Sequence, residues 1–243
     1  MTTRAPQAAG AEPRTGPRLH LFDLDGTLMR GSAALAISRR LGLEPETREL
    51  ERRFSEGLLT PPEFAAEACA LWAELITHAH VAEAFAEAPW LDGIREVWDE
   101  IRESGEHCAV ISLSPDFFVR LLAEQAPPGR RSEGLPAADG PGRGADAARG
   151  SVWPALPFRD PVDPAGILSA AAKVKIADEL CAAFGVSRAD CVAYGDSMSD
   201  VALFGAVPVS VAVNADHHVS GLAAYEYRGD DLREAYRLAR YEG

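Results

Sequence analysis

The sequence predicts an α/β fold, an open, doubly wound sheet that carries a small helical insertion. Three short apolar runs, at residues 19–22, 107–111 and 191–194, each stop at a polar or glycine-bearing turn, as strands buried on both faces do. Between the first two runs, residues 31–88 follow a helical pattern with no strand alternation. Carboxylates and hydroxyls gather where the apolar runs end, and that is the edge at which an open α/β sheet binds ligands.

Taken in chain order, residues 1–17 lack an apolar core and are expected to form a mobile tail rather than a secretory leader. Leu19-His20-Leu21-Phe22 is the first strand, closed by a turn at Gly26-Thr27. In the insertion, Thr60-Pro61-Pro62-Glu63 is a helix start, with Thr60 as N-cap, proline at the first position and Glu63 completing a capping box. Phe64, Ala68, Leu71, Trp72 and Leu75 follow at helical spacing, and a weaker stripe is Ala34, Ile37 and Leu41. Such stripes face a core, so Trp72 and Phe64 are expected to pack inside the insertion rather than touch a ligand. Residues 127–150 are rich in Gly, Pro, Ala and Arg without periodicity and are expected to be a disordered loop, with strand or hairpin pattern resuming at 152–158 and 166–168. Ile176, Leu180 and Phe184 mark a helix that carries Lys173. Strands at 207–213 and 225–227 and a helix from residue 231 complete the chain.

The chemistry concentrates in four places. Asp23-Leu24-Asp25-Gly26-Thr27 sets two carboxylates at the end of the first strand; Ser112 ends the second; Lys173 stands on the helix; and Gly195-Asp196-Ser197-Met198-Ser199-Asp200 sets two more carboxylates after the third apolar run. In this order and spacing the four resemble the haloacid dehalogenase superfamily, and most closely its phosphoserine-phosphatase-type branch, over residues 19 to about 214. Lys175 is a rival for the third motif, but the spacing from Lys173 to Asp196 fits the branch pattern without insertion.

The resemblance implies a Rossmann-like core at 18–30 and 89–243, a helical cap domain at 31–88, and phosphate-ester hydrolysis through an aspartyl phosphate. It implies Asp23 as nucleophile and Asp25 as general acid and base. Asp23, Asp196 and the region of Asp25 would hold a Mg²⁺, a hard ion suited to carboxylate and carbonyl oxygens. Ser112, Lys173 and Gly26 would bind the phosphoryl group, with Asp200 in support. A phosphoryl transferase or mutase of the same fold, or a phosphoserine phosphatase, is the alternative. The branch holds the amine of phosphoserine with a Glu where this chain has Ser32, and its carboxylate with an Arg near Ala65 and Ala66. Both handles are expected to be missing, so another small phosphorylated metabolite is expected, with Arg30, Ser32 and Ser114 as candidates for choosing it.

Composition narrows the classes further. At 243 residues and 47% hydrophobic, the chain can bury a substantial core, and a formal net charge of −13 disfavours nucleic acid as a partner. Four scattered cysteines form no C-x-x-C pair, and His217-His218 suits a surface better than a metal site. No membrane partner and a cytoplasmic location are the expectations drawn from this.

Overall fold

The computed structural model describes residues 18–128 and 142–241. The expected N-terminal tail and most of the expected loop at 127–150 lie outside the described residues. Six parallel strands form one sheet: β1 (Leu19–Phe22), β2 (His107–Pro115), β3 (Ala147–Ser151), β4 (Cys191–Gly195), β5 (Val209–Val213) and β6 (Tyr225–Tyr227), in the spatial order β3-β2-β1-β4-β5-β6. The order reverses beside β1, so the crevice at the C-terminal end of β1 is the topological switch point where such sheets bind ligands.

Alternation along β1 explains the two layers of helices. Leu19 and Leu21 pack with Ile176, Leu180 and Leu203 on one face, whereas Phe22 packs with Trp98 and Tyr236 on the other. The first face is covered by α8 (Ala170–Phe184) and α9 (Val201–Phe204), the second by α5 (Ile94–Glu103) and α10 (Leu232–Tyr241). His20 also faces the second layer, fully buried against Tyr194 and Tyr236, with its ring bonded to Tyr194 Oη and Glu106, each at 3.1 Å.

Four helices rise from the loop after β1: α1 (Ala33–Leu41), α2 (Glu44–Ser55), α3 (Pro61–Trp72) and α4 (His78–Glu87). They form the helical cap insertion. Thr60 and Glu63 make the expected capping box at the start of α3. Trp72 is fully buried, its indole N–H donating to Ser38 Oγ at 2.9 Å while Ser38 and Thr47 share a 2.6 Å bond. That network ties α1, α2 and α3 together, and its polar atoms are paired as burial demands. The buried face of α3 runs through Ala65, Ala68, Cys69 and Trp72, one residue round from the expected stripe. Leu75 is therefore exposed, and Phe64 sits at the edge of the cap core against Phe54.

Three other expectations are corrected. Strand β3 lies at 147–151, all but its last residue inside the stretch expected to be a loop, and 152–158 and 166–168 hold no strand. Small residues suffice for β3 because it is a short edge strand with one neighbour, so the apolar signal never develops. Strand β2 continues to Pro115, which places Ser112 within it, and the two short helices α6 (Asp116–Val119) and α7 (Leu121–Glu124) come next.

Candidate active site

The turn after β1 brings the first two carboxylates to the switch point, and each is held differently. Asp23 is buried, and its Oδ1 lies 2.9 Å from Lys173 Nζ. Asp25 accepts a 2.6 Å bond from Ser114 Oγ and a 2.9 Å bond from the Ala33 backbone N–H. That N–H belongs to the first turn of α1, whose unsatisfied amides favour an anion. The cap thus begins by gripping Asp25. Burial nevertheless wins over both bonds and raises the Asp25 pKa above the ordinary carboxylate value.

The loop after β4 closes the other side. Asp200 accepts from the backbone N–H groups of Asp196 and Ser197, both at 3.2 Å, and from Lys173 Nζ at 2.6 Å. Lys173, on the first turns of α8, therefore bridges Asp23 and Asp200 while almost fully buried. Burial alone would depress its pKa, but the two neighbouring carboxylates hold it above its ordinary value, so it stays charged. Lys175 points to solvent beside Glu179, leaving Lys173 as the lysine of the site.

Two glycines are required by space. A Cβ on Gly26, whose φ is +75°, would fall 2.0 Å from Asp196 Oδ2, and one on Gly195 would fall 2.3 Å from the Asp200 carboxyl carbon. The motif glycines let the two carboxylate loops meet. The Gly26 N–H is itself taken by the Gly31 carbonyl at 3.0 Å, so Gly26 serves the site by lacking a side chain rather than by offering its amide to phosphate.

Oxygen atoms of Asp23, Asp196 and Asp200 lie within 4.8 Å of one another. Burial and then the charges of Asp23 and Asp200 push the Asp196 pKa up to about 9, and burial pushes Asp23 up to about 7 despite Lys173. Hard oxygen donors crowded so closely fit a divalent cation, which would let Asp23 and Asp196 ionise at neutral pH. The expected side chains Asp23 and Asp196 are both in the cluster. Asp200, expected only in support, joins them, and the Asp25 carboxyl is turned to Ser114 and Ala33.

Beyond Asp25 a cavity of about 130 Å³ runs under the cap, lined by residues that include Ser32, Glu51, Phe64, Ser114 and Trp153. Of the three expected selectivity residues, Ser32 and Ser114 line it. Arg30 does not, being exposed and paired with Asp230 at 2.8 Å. Phe64, expected to be purely a packing residue, forms part of the wall, as does Ala65. Glu51 went unnoticed in the sequence, because it lies in a run of charges on α2 and only its tertiary position, hydrogen-bonded by Ser32 Oγ, distinguishes it. Ser112 is buried and its Oγ accepts from the Ser114 N–H at 3.2 Å.

Two family models, both described as haloacid dehalogenase-like hydrolase, match residues 20–133 and 168–228. The chain belongs to this family. It is a hydrolase of the haloacid dehalogenase type. No curated protein matches the chain in sequence. Among solved structures, a phospho-aspartyl intermediate analogue of phosphoserine phosphatase is 23% identical with a TM-score of 0.69, covering 93% of this chain and 99% of that one. A substrate-bound phosphoserine phosphatase complex is 23% identical with a TM-score of 0.68, covering 94% and 99%. A HAD family hydrolase from Salmonella enterica subsp. enterica serovar Typhi is 20% identical with a TM-score of 0.72, covering 93% and 73%. At these identities the likeness concerns the fold. Among the described residues of this haloacid dehalogenase-like hydrolase, no helix is long and apolar enough to cross a membrane.

Proposed function

We propose that the chain hydrolyses a small phosphomonoester through an aspartyl phosphate formed on Asp23, with residues 31–88 as the cap that chooses the ester. The observation that carries this reading is the buried Lys173, which bridges Asp23 and Asp200 beside an Asp25 held on both oxygens. Asp23 attacks phosphorus in line as the bond to the leaving alcohol breaks. Asp25, its pKa raised by burial, gives its proton to the leaving oxygen. Its carboxylate then takes a proton from the water that attacks the aspartyl phosphate, and Asp23 is restored. Lys173 and Ser112 supply positive charge and a hydroxyl donor to the phosphoryl oxygens, where charge is spread in the transition state.

Asp23, Asp196 and Asp200, with the backbone at Asp25, are the residues that would hold a Mg²⁺. When bound, the ion supplies a Lewis acid that offsets the charge of the phosphoryl oxygens. For the substrate, the comparisons favour the phosphoserine phosphatase alternative over the expectation against it. Glu51 adds to that side, since it brings to the cavity one of the two charges expected to be missing. Phosphoserine is therefore the first metabolite to assay.

The test is Asp23→Asn, nearly isosteric but unable to attack phosphorus. Hydrolysis of p-nitrophenyl phosphate should fall to background in a variant that melts as the parent does, and substantial residual turnover would remove Asp23 as nucleophile.

A further inference from the structure

If Asp25 protonates the leaving alcohol, the cavity beyond Asp25 is where that alcohol sits. Its volume of about 130 Å³ corresponds to roughly four water molecules, so the alcohol is small. The walls differ in character. Phe54, Phe64 and Trp153 give an apolar, aromatic side, and among the lining residues the only charged side chains are Asp25 and Glu51.

Glu51 is the unexplained member. It lies on the cap, half-buried, and accepts a short hydrogen bond from Ser32 Oγ. Among the described residues it has no ion-pair partner, although arginines surround it in sequence. Arg39 and Arg48 both bind Glu44, Arg52 binds Glu49 and Glu56, and Arg53 binds Glu67. Arg48 and Arg39 are near enough to act on Glu51 through space, but both are paired to Glu44, and a carboxylate without an ion pair that lines a cavity holding no cationic side chain is placed to receive a cation. Burial raises its pKa, with the charge of Asp25 adding to it, and outweighs the Ser32 bond and the more distant Arg48 and Arg39; an arriving cation would offset that burial.

We propose that Glu51 is the residue that selects the substrate, holding a primary ammonium group on the leaving alcohol, so that the preferred substrates are phosphomonoesters of small amine-bearing alcohols. This rests on the phosphatase reading and refines it. The ammonium exchanges the lone Ser32 bond for a charge-assisted one, and the aromatic wall of Phe54, Phe64 and Trp153 suits a cation at its face. A carboxylate on the same alcohol would find no cation among the lining residues. Phosphoserine is thus recognised through its amine, and its carboxylate adds nothing.

The experiment compares kcat/KM of the Mg²⁺-loaded protein for 2-aminoethyl phosphate, ethyl phosphate, 2-hydroxyethyl phosphate and O-phosphoserine, with p-nitrophenyl phosphate as reference. Aminoethyl phosphate should exceed ethyl phosphate by about ten- to a hundredfold, the range of one charge-assisted contact. In Glu51→Gln that ratio should collapse to within about threefold, with circular dichroism and melting confirming the fold. Equal rates for the amino and ethyl esters in the parent protein would overturn the proposal without any variant. So would equal rates for the amino and hydroxy esters, survival of the preference in a folded Glu51→Gln, or a tenfold advantage of phosphoserine over aminoethyl phosphate. Failure to hydrolyse p-nitrophenyl phosphate as well would instead sink the phosphatase reading, and this inference with it.

Discussion

Replacing Lys173 with methionine keeps the length of the side chain and removes its charge from a buried position. The ammonium is 1% exposed and lies 2.9 Å from Asp23 and 2.6 Å from Asp200. Removing one partner of such a buried pair costs about 3–5 kcal/mol, because the carboxylates left behind are neither solvated nor paired. In a chain of this size each kcal/mol moves the midpoint by about 2–4 °C, so a melting scan of metal-free protein should show a loss of ~6–20 °C. The loss should depend on pH. Without Lys173, burial and the charges of Asp200 and Asp25 hold the folded-state pKa of Asp23 further above its unfolded value. A group raised in this way contributes stability below its unfolded pKa and loses it as pH rises through its folded pKa. The deficit of Lys173→Met should therefore be small near pH 5 and full near pH 8. Turnover of p-nitrophenyl phosphate should also drop by about 10²–10³-fold, the cost of removing one donor to transition-state charge. A variant that melts within a degree of its parent, or whose deficit is the same at pH 5 and pH 8, would refute the electrostatic reasoning.

Mg²⁺ at about a hundred times its Kd should stabilise the protein by about 2.7 kcal/mol, and Asp196→Asn should abolish the shift; chelation should silence the parent enzyme, and Ca²⁺ should not replace Mg²⁺ because its looser coordination suits in-line attack poorly. An unchanged Mg²⁺ shift in Asp196→Asn would remove that residue from the cation site. Far from the site, burial holds the His20 pKa below 6.5, and Glu106, despite its own burial, is held below 4.5 by bonds from His20 and Arg240. Both groups bind protons more readily in the unfolded chain, so with Mg²⁺ saturating, stability should fall on acidification below about pH 6.5, and more steeply below about 4.5. His20→Gln should flatten only the upper part of that fall; an identical slope in both proteins between pH 6.5 and 5 would contradict it.

Much of this protein was legible in the sequence because the information was local. Strands at 19–22 and 191–195 are runs of apolar residues buried on both faces, and each stops where glycine lets the chain turn, so their positions and their terminal carboxylates could be read without a neighbour. The capping box at Thr60 and the stripe Ala34, Ile37 and Leu41 are likewise properties of a few consecutive turns. What tertiary structure alone decided was every feature that depends on partners distant in the chain. Strand β3 has no periodicity of its own and exists because β2 offers an edge. Arg30 looked free to meet a substrate until Asp230, 200 residues away, took it. Asp25 differs from Asp23 because folding turns it to Ser114 and the first amide of α1, whereas Asp23 meets Lys173. Glu51, one acid among many on a charged helix, acquires a role because folding carries it to Ser32 and the cavity. Local patterns specify which segments become strands and helices, whereas burial and pairing, which set charge and selectivity, arise only when those segments pack.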